Sequence, residues 1–148
     1  MDTRVFFTYP TAAAEPAASE TGFLDHCSER EWNTLLSHMQ TRNIRAGEIV
    51  FAEDDLDRAL YLLTVGLVEL SGTQSPPATV QAPAQLGELA FIDGDRQPAT
   101  ARAVTSGEVL RLSFEAFESL AARDPHLATR ILLDLGRILA ARLRTTSA

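Results

Sequence analysis

Residues 85–103, QLGELAFIDGDRQPATARA, decide how this sequence is interpreted. Gly87 permits a tight approach of the backbone, and residues 87–90 can form one helical turn. The free N–H groups of that turn and the positive end of its dipole favour an anion. Glu88 can accept a hydrogen bond from a sugar hydroxyl, and Arg96 on the returning loop can reach the same anion. The alternative interpretation is a capped turn between two strands, with its apolar side chains in the core.

Short strand-like runs flank this segment and are separated by turn residues. The runs cover residues 48–51, 60–65, 67–70, 78–80, 101–104 and 109–112, with Ile44 before them. Glycine and proline stand between the runs, as at Pro76-Pro77 and at Gly107. Many short strands with frequent turn signals favour a β-barrel or jelly roll over a parallel sheet. The Val65-Gly66-Leu67 junction predicts a hairpin.

Helices are predicted on both sides of the strands. Ser28 and Glu31 have the spacing of a capping box, in which each side chain accepts from the other residue's free backbone N–H. Trp32, Leu35, Leu36 and Met39 follow at helical spacing. After the strands, Ser113 can cap a short helix, and Asp124-Pro125 combines an N-cap with proline at the first helical position.

The last predicted helix runs from about residue 126 to residue 144. Its apolar stripe consists of Leu127, Ile131, Leu135, Ile138 and Leu139, with Leu132 beside them. Its outer face carries Arg130, Arg137, Arg142 and Arg144, a distribution that is typical of a solvated surface.

Length and composition exclude several classes of protein. The 148 residues suffice for one domain, and we expect residues 1–22 to be a flexible tail and residues 23–148 the domain. The net charge of −7 argues against a protein that binds nucleic acid electrostatically. A single cysteine, Cys27, excludes an internal disulfide framework and fits a reducing, cytoplasmic location. No apolar run is long enough to predict a membrane span, and no signal peptide is predicted.

Catalytic and metal-binding residues are not apparent in the sequence. His26, His38 and His126 lie on or beside predicted helices, whereas a metal site in a jelly roll needs histidines clustered on strands. Cys27 stands at a helix start, but no histidine can be assigned to it as a base. We therefore expect a protein that is not an enzyme and that needs no metal or cofactor.

Several segments resemble the cyclic nucleotide-binding domain family, which includes catabolite activator proteins and the regulatory subunits of cyclic-AMP-dependent kinase. Residues 87–90 and 99–103 resemble its phosphate-binding cassette. Residues 47–55, GEIVFAEDD, are similar to its G-x-x-I-F-x-E-G-D segment, and residues 60–70 to its L-Y-x-I-x-x-G-x-V hairpin. The resemblance extends from about residue 23 to residue 144 and includes the final strand at residues 109–113. It implies an eight-stranded jelly-roll β-barrel, mainly β, with an N-terminal helix and C-terminal helices.

The resemblance also implies a ligand site and a departure from it. The implied site residues are Gly87, Glu88, Leu89, Ala90, Arg96, Gln97, Ala99 and Thr100, with Glu88 on the ribose 2′-hydroxyl. Gln97 stands where the family has its phosphate arginine, and Pro98 has no N–H to donate where the family donates one. These two losses correspond to roughly a hundred- to ten-thousand-fold in affinity. Arg96, one residue earlier, can compensate if the loop shifts its register.

Two functions follow from these observations. The first is a regulatory sensor that binds cAMP or cGMP through the divergent cassette. The second is a scaffold that needs no ligand and forms a homodimer or binds a partner protein through the last helix. In either function the lid or dimer residues are expected to be Ile131, Leu135, Ile138 and Leu139. We expect no DNA binding by this chain alone, because no residues remain after Ala148 for a helix-turn-helix. We expect no membrane partner, because no membrane span is predicted.

Overall fold

The computed structural model describes residues 23–25 and 27–147, and within them it contains four helices and eight strands. The helices are α1 (Glu29–Ser37), α2 (Glu88–Asp93), α3 (Phe114–Arg123) and α4 (Pro125–Ser147). The strands are β1 (Gln40–Ile44), β2 (Ile49–Phe51), β3 (Ala59–Val65), β4 (Leu67–Gly72), β5 (Ser75–Gln81), β6 (Ala84–Leu86), β7 (Thr100–Ala103) and β8 (Gly107–Ser113). The predicted tail, residues 1–22, lies outside the described residues, and so does His26.

The strands form two four-stranded antiparallel sheets. One sheet has the order β1-β8-β3-β6 and the other the order β2-β7-β4-β5. The mainly β, jelly-roll fold class with flanking helices is therefore confirmed. Strand β6 was not among the predicted runs, because its three residues carry a polar side chain, Gln85, in the middle. Gln85 is nevertheless fully buried where β6 pairs with β3.

Strand β3 is buried on both faces, and this divides the interior into two apolar cores. Ala59, Tyr61 and Leu63 face the core between the two sheets. Leu60 and Leu62 face the opposite way, into a core that the helices cover. Because side chains alternate along a strand, one continuous apolar run serves both cores.

The predicted hairpin at Val65-Gly66-Leu67 is wrong. Strand β3 pairs with β6 and β8, whereas β4 pairs with β5 and β7, so the two strands belong to different sheets. Gly66 has a φ of +110°, a conformation that side chains rarely adopt, and it turns the chain from one sheet into the other. A hairpin and a sheet-to-sheet crossing have the same local sequence signal, which explains the error.

The predicted helix caps are confirmed. The Ser28 hydroxyl accepts from the Glu31 N–H at 3.1 Å, and Glu31 accepts from the Ser28 N–H at 3.1 Å. The backbone hydrogen bond from Ser28 lowers the pKa of Glu31 below its ordinary value. The hydroxyl of Ser113 accepts from the Ala116 N–H, and the carboxylate of Asp124 accepts from the Leu127 N–H.

Helix α4 packs on the outer face of the β1-containing sheet through its predicted apolar stripe. Leu127, Ile131, Leu135 and Ile138 are buried, together with one charged residue of the same helix, Asp134. Asp134 Oδ2 accepts from the backbone N–H of Leu24 at 2.9 Å, and Oδ1 pairs with Arg137. The carboxylate thus joins the segment before α1 to the middle of α4.

We predict that Asp134→Ala lowers the free energy of unfolding by about 1–3 kcal/mol, because it leaves the buried Leu24 N–H without its acceptor. Urea denaturation measures this change. Asp134→Asn is the matched control, because its amide oxygen can still accept from Leu24, and it should retain most of the stability. Equal losses in the two variants would contradict the assigned hydrogen bond.

Candidate functional site

The start of β3 holds the cassette turn in place. Gly87, the N-cap of α2, has a φ of +78°, and a Cβ at this position would lie 2.8 Å from the Ala59 carbonyl oxygen. Only glycine allows this approach. Arg58 donates from Nε to the Phe91 carbonyl oxygen at 3.0 Å, and its guanidinium lies 3.5 Å from the centre of the Phe114 ring. Arg58 therefore joins the end of α2 to α3.

A pocket of about 160 Å³ opens beside this turn. Its lining residues are Phe51, Leu70, Gly87, Glu88, Leu89, Gln97, Pro98 and Ala99. Five of the eight predicted site residues are thus brought together. The sequence analysis missed Phe51 and Leu70, which come from β2 and β4. Both belong to ordinary apolar strand patterns, so no local signal distinguishes them from core residues.

The other three predicted site residues lie outside the pocket lining. Ala90 lies on the buried face of α2. The Thr100 hydroxyl accepts from the Glu53 N–H at 2.9 Å. Arg96 is exposed, and its Nη1 donates to the Asp54 carbonyl oxygen at 2.9 Å. Arg96, which we expected to replace the positive charge that Gln97 lacks, is therefore bound to the adjacent loop in this structure.

Glu88 is buried at the first position of α2 and forms an ion pair with Arg142 of α4. Arg142 Nη1 lies 2.5 Å from Glu88 Oε1, and both side chains are largely shielded from solvent. The interpretation of Arg142 as part of a solvated surface is therefore wrong. Arg130 and Arg137 also form ion pairs, with Glu31 and Asp134. The partners of Arg130 and Arg142 are distant in sequence, and Asp134 lies on the buried side of the helix. A count of the arginines on the outer face therefore did not reveal these ion pairs.

Gln97 is 1% exposed and is fixed from two directions. Its Nε2 donates to the Asp57 carbonyl oxygen at 2.9 Å. Its backbone pairs with the preceding loop: the Asp54 N–H donates to the Gln97 carbonyl, and the Gln97 N–H donates to the Asp55 carbonyl. Pro98 follows on the pocket wall and has no N–H to offer a ligand.

A polar network lies directly behind Gln97. The Tyr61 hydroxyl donates to the Asp57 carboxylate, and Arg111 donates to the same carboxylate at 2.7 Å and to the Tyr61 oxygen at 3.1 Å. Burial, together with the hydrogen bond to Asp57, raises the pKa of Tyr61 to about 12. The network therefore fixes Asp57, whose backbone carbonyl accepts the hydrogen bond from Gln97 Nε2.

Helix α4 presents two different apolar faces. Ile131, Leu135 and Ile138, predicted as lid or dimer residues, are buried in the core of this chain, and Leu139 is half-buried. The large exposed apolar side chains of the helix are Leu132 (41% exposed), Leu133 (62%) and Leu143 (68%). A lid or dimer role for the predicted stripe stays a prediction, and of its four residues only Leu139 is partly exposed towards a partner.

The described part of the chain contains neither a helix that could span a membrane nor a cluster of metal-binding side chains. None of its helices is long and apolar enough to cross a membrane. Within residues 23–25 and 27–147, no three His, Cys, Asp or Glu side chains are grouped so that they could hold a metal ion.

The sequence and the structure were compared with known proteins. The profile of the family described as "Cyclic nucleotide-binding domain" matches residues 41–124. The Cyclic AMP receptor protein of Thermus thermophilus is 34% identical over 119 residues, which are 77% of this chain and 53% of that protein. The cAMP-dependent protein kinase regulatory subunit of Emericella nidulans is 29% identical over 108 residues, which are 72% of this chain and 26% of that protein.

Among solved structures, a cyclic nucleotide-binding domain from Methylobacillus flagellatus KT is similar with a TM-score of 0.73 and 29% identity. The match covers 80% of this chain and 69% of that one. The chain spans about half the length of the Thermus relative and about a quarter of the Emericella relative. Residues 41–124, the part of the chain that matches the family, contain every residue that lines the pocket.

The tyrosine network predicts a loss of stability at alkaline pH. The folded pKa of Tyr61 is about 12 and the unfolded value is 10.0, so the protonated hydroxyl stabilises the folded state below pH 10. That contribution is lost as the pH rises from 10 towards 12, and it amounts to about 3 kcal/mol. Urea denaturation at a series of pH values measures it. Tyr61→Phe is the control and should have a flatter profile in this range, whereas a slope equal to that of the parent would contradict the assignment.

Proposed function

The chain belongs to the cyclic nucleotide-binding domain family, and we propose that it is a regulatory module, without catalytic activity, whose cassette pocket binds cAMP or cGMP. The ion pair between Glu88 and Arg142 carries this proposal. It places a buried carboxylate in the pocket and connects that carboxylate to the last turns of α4. A ligand on Glu88 therefore acts directly on the helix that can transmit a signal.

In the proposed complex, Glu88 accepts a hydrogen bond from a ribose hydroxyl. The phosphate lies against the backbone amides of residues 87–90 and of Ala99. Arg96 supplies the positive charge after its guanidinium leaves the Asp54 carbonyl oxygen. A new hydrogen bond to Glu88 changes the ion pair between that carboxylate and Arg142, and α4 shifts in response.

The proposed affinity is weak. Gln97 has no charge, Pro98 has no N–H, and Arg96 begins outside the pocket lining. The cytoplasmic location of the module stays a prediction from the single cysteine, Cys27.

We predict that the double substitution Gln97→Arg and Pro98→Ala raises the affinity for cAMP or cGMP by about a hundredfold, because it adds a charged donor and a backbone N–H. Isothermal titration calorimetry measures the change, with 5′-AMP as the control ligand.

Glu88→Ala should weaken binding of the cyclic nucleotide by about tenfold in the same titration, because it removes the acceptor of the ribose hydroxyl. If neither variant changes the affinity, the ligand lies elsewhere.

A second candidate function, a ligand-independent homodimer, is favoured by one observation on α4. Leu132, Gly136, Leu139 and Leu143 recur at intervals of four, three and four residues, which is the spacing of a coiled-coil seam. We call these four residues the outer stripe. Leu132 and Leu143 are exposed, and apart from the local backbone of α4 no heavy atom of the described residues lies within 4 Å of the Cβ position of Gly136, so a second helix can approach closely.

The dimer proposal predicts that Leu143→Arg, on the outer stripe, converts a dimer into a monomer, because it buries an unpaired charge between two helices. Light scattering at tens of micromolar, with and without cAMP, measures the mass. Leu133→Arg is the matched control: Leu133 is equally exposed but lies off the stripe, so this variant should remain a dimer. A monomeric parent protein would count against the homodimer. Leu135→Arg is unsuitable because Leu135 is in the core.

A further inference from the structure

The charge of the pocket does not suit a phosphate. Among the described residues that line it, Glu88 is the one charged side chain, and its charge is already compensated by the ion pair with Arg142. The other described lining residues carry no charge, so none of them supplies a cation to a bound phosphate. An anion that leaves water for such a site loses hydration without a compensating attraction.

The orientation of the Gln97 amide adds an independent argument. Its Nε2 must face the Asp57 carbonyl oxygen, since an oxygen at 2.9 Å from that carbonyl would be repelled. This leaves Oε1 as the other polar atom of the amide. Oε1 is buried and has no hydrogen-bond partner among the described residues. A buried acceptor without a partner is costly, and a ligand that donates a hydrogen bond to it removes that cost.

A phosphate oxygen is itself an acceptor and cannot satisfy Gln97 Oε1, whereas a hydroxyl can donate to it.

We propose that the pocket binds an uncharged ribonucleoside more tightly than the corresponding cyclic nucleotide, with a ribose hydroxyl on Glu88 and a second hydroxyl donating to Gln97 Oε1. This inference rests on the proposed function, because it keeps the same pocket and the same ribose contact. It differs in the group that lies against Gln97, which is a hydroxyl where the cyclic nucleotide has its phosphodiester.

Calorimetric titration of the full chain with adenosine, guanosine, cAMP and cGMP tests the inference. We expect one nucleoside to bind about tenfold more tightly than its cyclic nucleotide, the effect of one hydrogen bond gained and of one uncompensated phosphate charge avoided. The 2′-deoxynucleoside should bind more weakly than the ribonucleoside, because it lacks a donor for Glu88.

The outcomes separate this inference from the proposed function. A cyclic nucleotide that binds as tightly as its nucleoside, or more tightly, overturns the inference and leaves the proposed function standing. Binding of the nucleoside alone supports the inference and overturns the cyclic-nucleotide form of the proposed function. If none of the four ligands binds up to millimolar concentrations, both are wrong.

Two variants at position 97 keep the test specific to the amide. Gln97→Arg should reverse the preference, with tighter binding of the cyclic nucleotide and weaker binding of the nucleoside. Gln97→Met has a similar size and no acceptor, so it should lose the nucleoside preference without gaining the cyclic nucleotide. Circular dichroism checks that both variants fold. A nucleoside preference that survives in both folded variants would show that Gln97 does not carry it.

Discussion

The contact between the cassette turn and residues 57–59, where the chain enters β3, is the interaction on which the site depends. Three consecutive residues make it: the Asp57 carbonyl accepts from Gln97, Arg58 holds the end of α2, and the Ala59 carbonyl lies against Gly87. Strand β3 is buried on both faces, so these groups cannot move without disturbing two cores. The two lining residues Gly87 and Gln97 are therefore held in a fixed position relative to both cores.

Glu88, another lining residue, is held by α4, a helix that belongs to the core. One face of α4 is buried in the core that the helices cover, and Arg142 extends from the same helix to Glu88. Removing one partner from a buried ion pair typically costs about 3–5 kcal/mol, because the other charge is left uncompensated. A ligand that replaces part of the Arg142 contact can therefore shift α4. The buried Asp134, bound to the Leu24 N–H, couples the same helix to the segment before α1.

Local sequence patterns predicted the elements of the fold well. The capping residues Ser28, Ser113 and Asp124 each have the predicted hydrogen bond, since a cap depends only on residues three positions away. The errors occur where the same local pattern fits two arrangements. Gly66 is equally suited to a hairpin and to a crossing between sheets, and the pairing of β3 with β6 and β8 decides between them.

Local sequence patterns were enough to predict the jelly-roll class, the helix boundaries near their caps, and five of the residues that line the pocket. These depend on periodicity, on turn residues and on the cassette pattern of residues 85–103, all of which are local. The tertiary structure alone decided that Arg142 pairs with Glu88 and that Phe51 and Leu70 complete the pocket. It also decided which atom of Gln97 is left without a partner. The physical reason is that these contacts join residues from different elements, and only the packing of α4 and the two sheets brings them together.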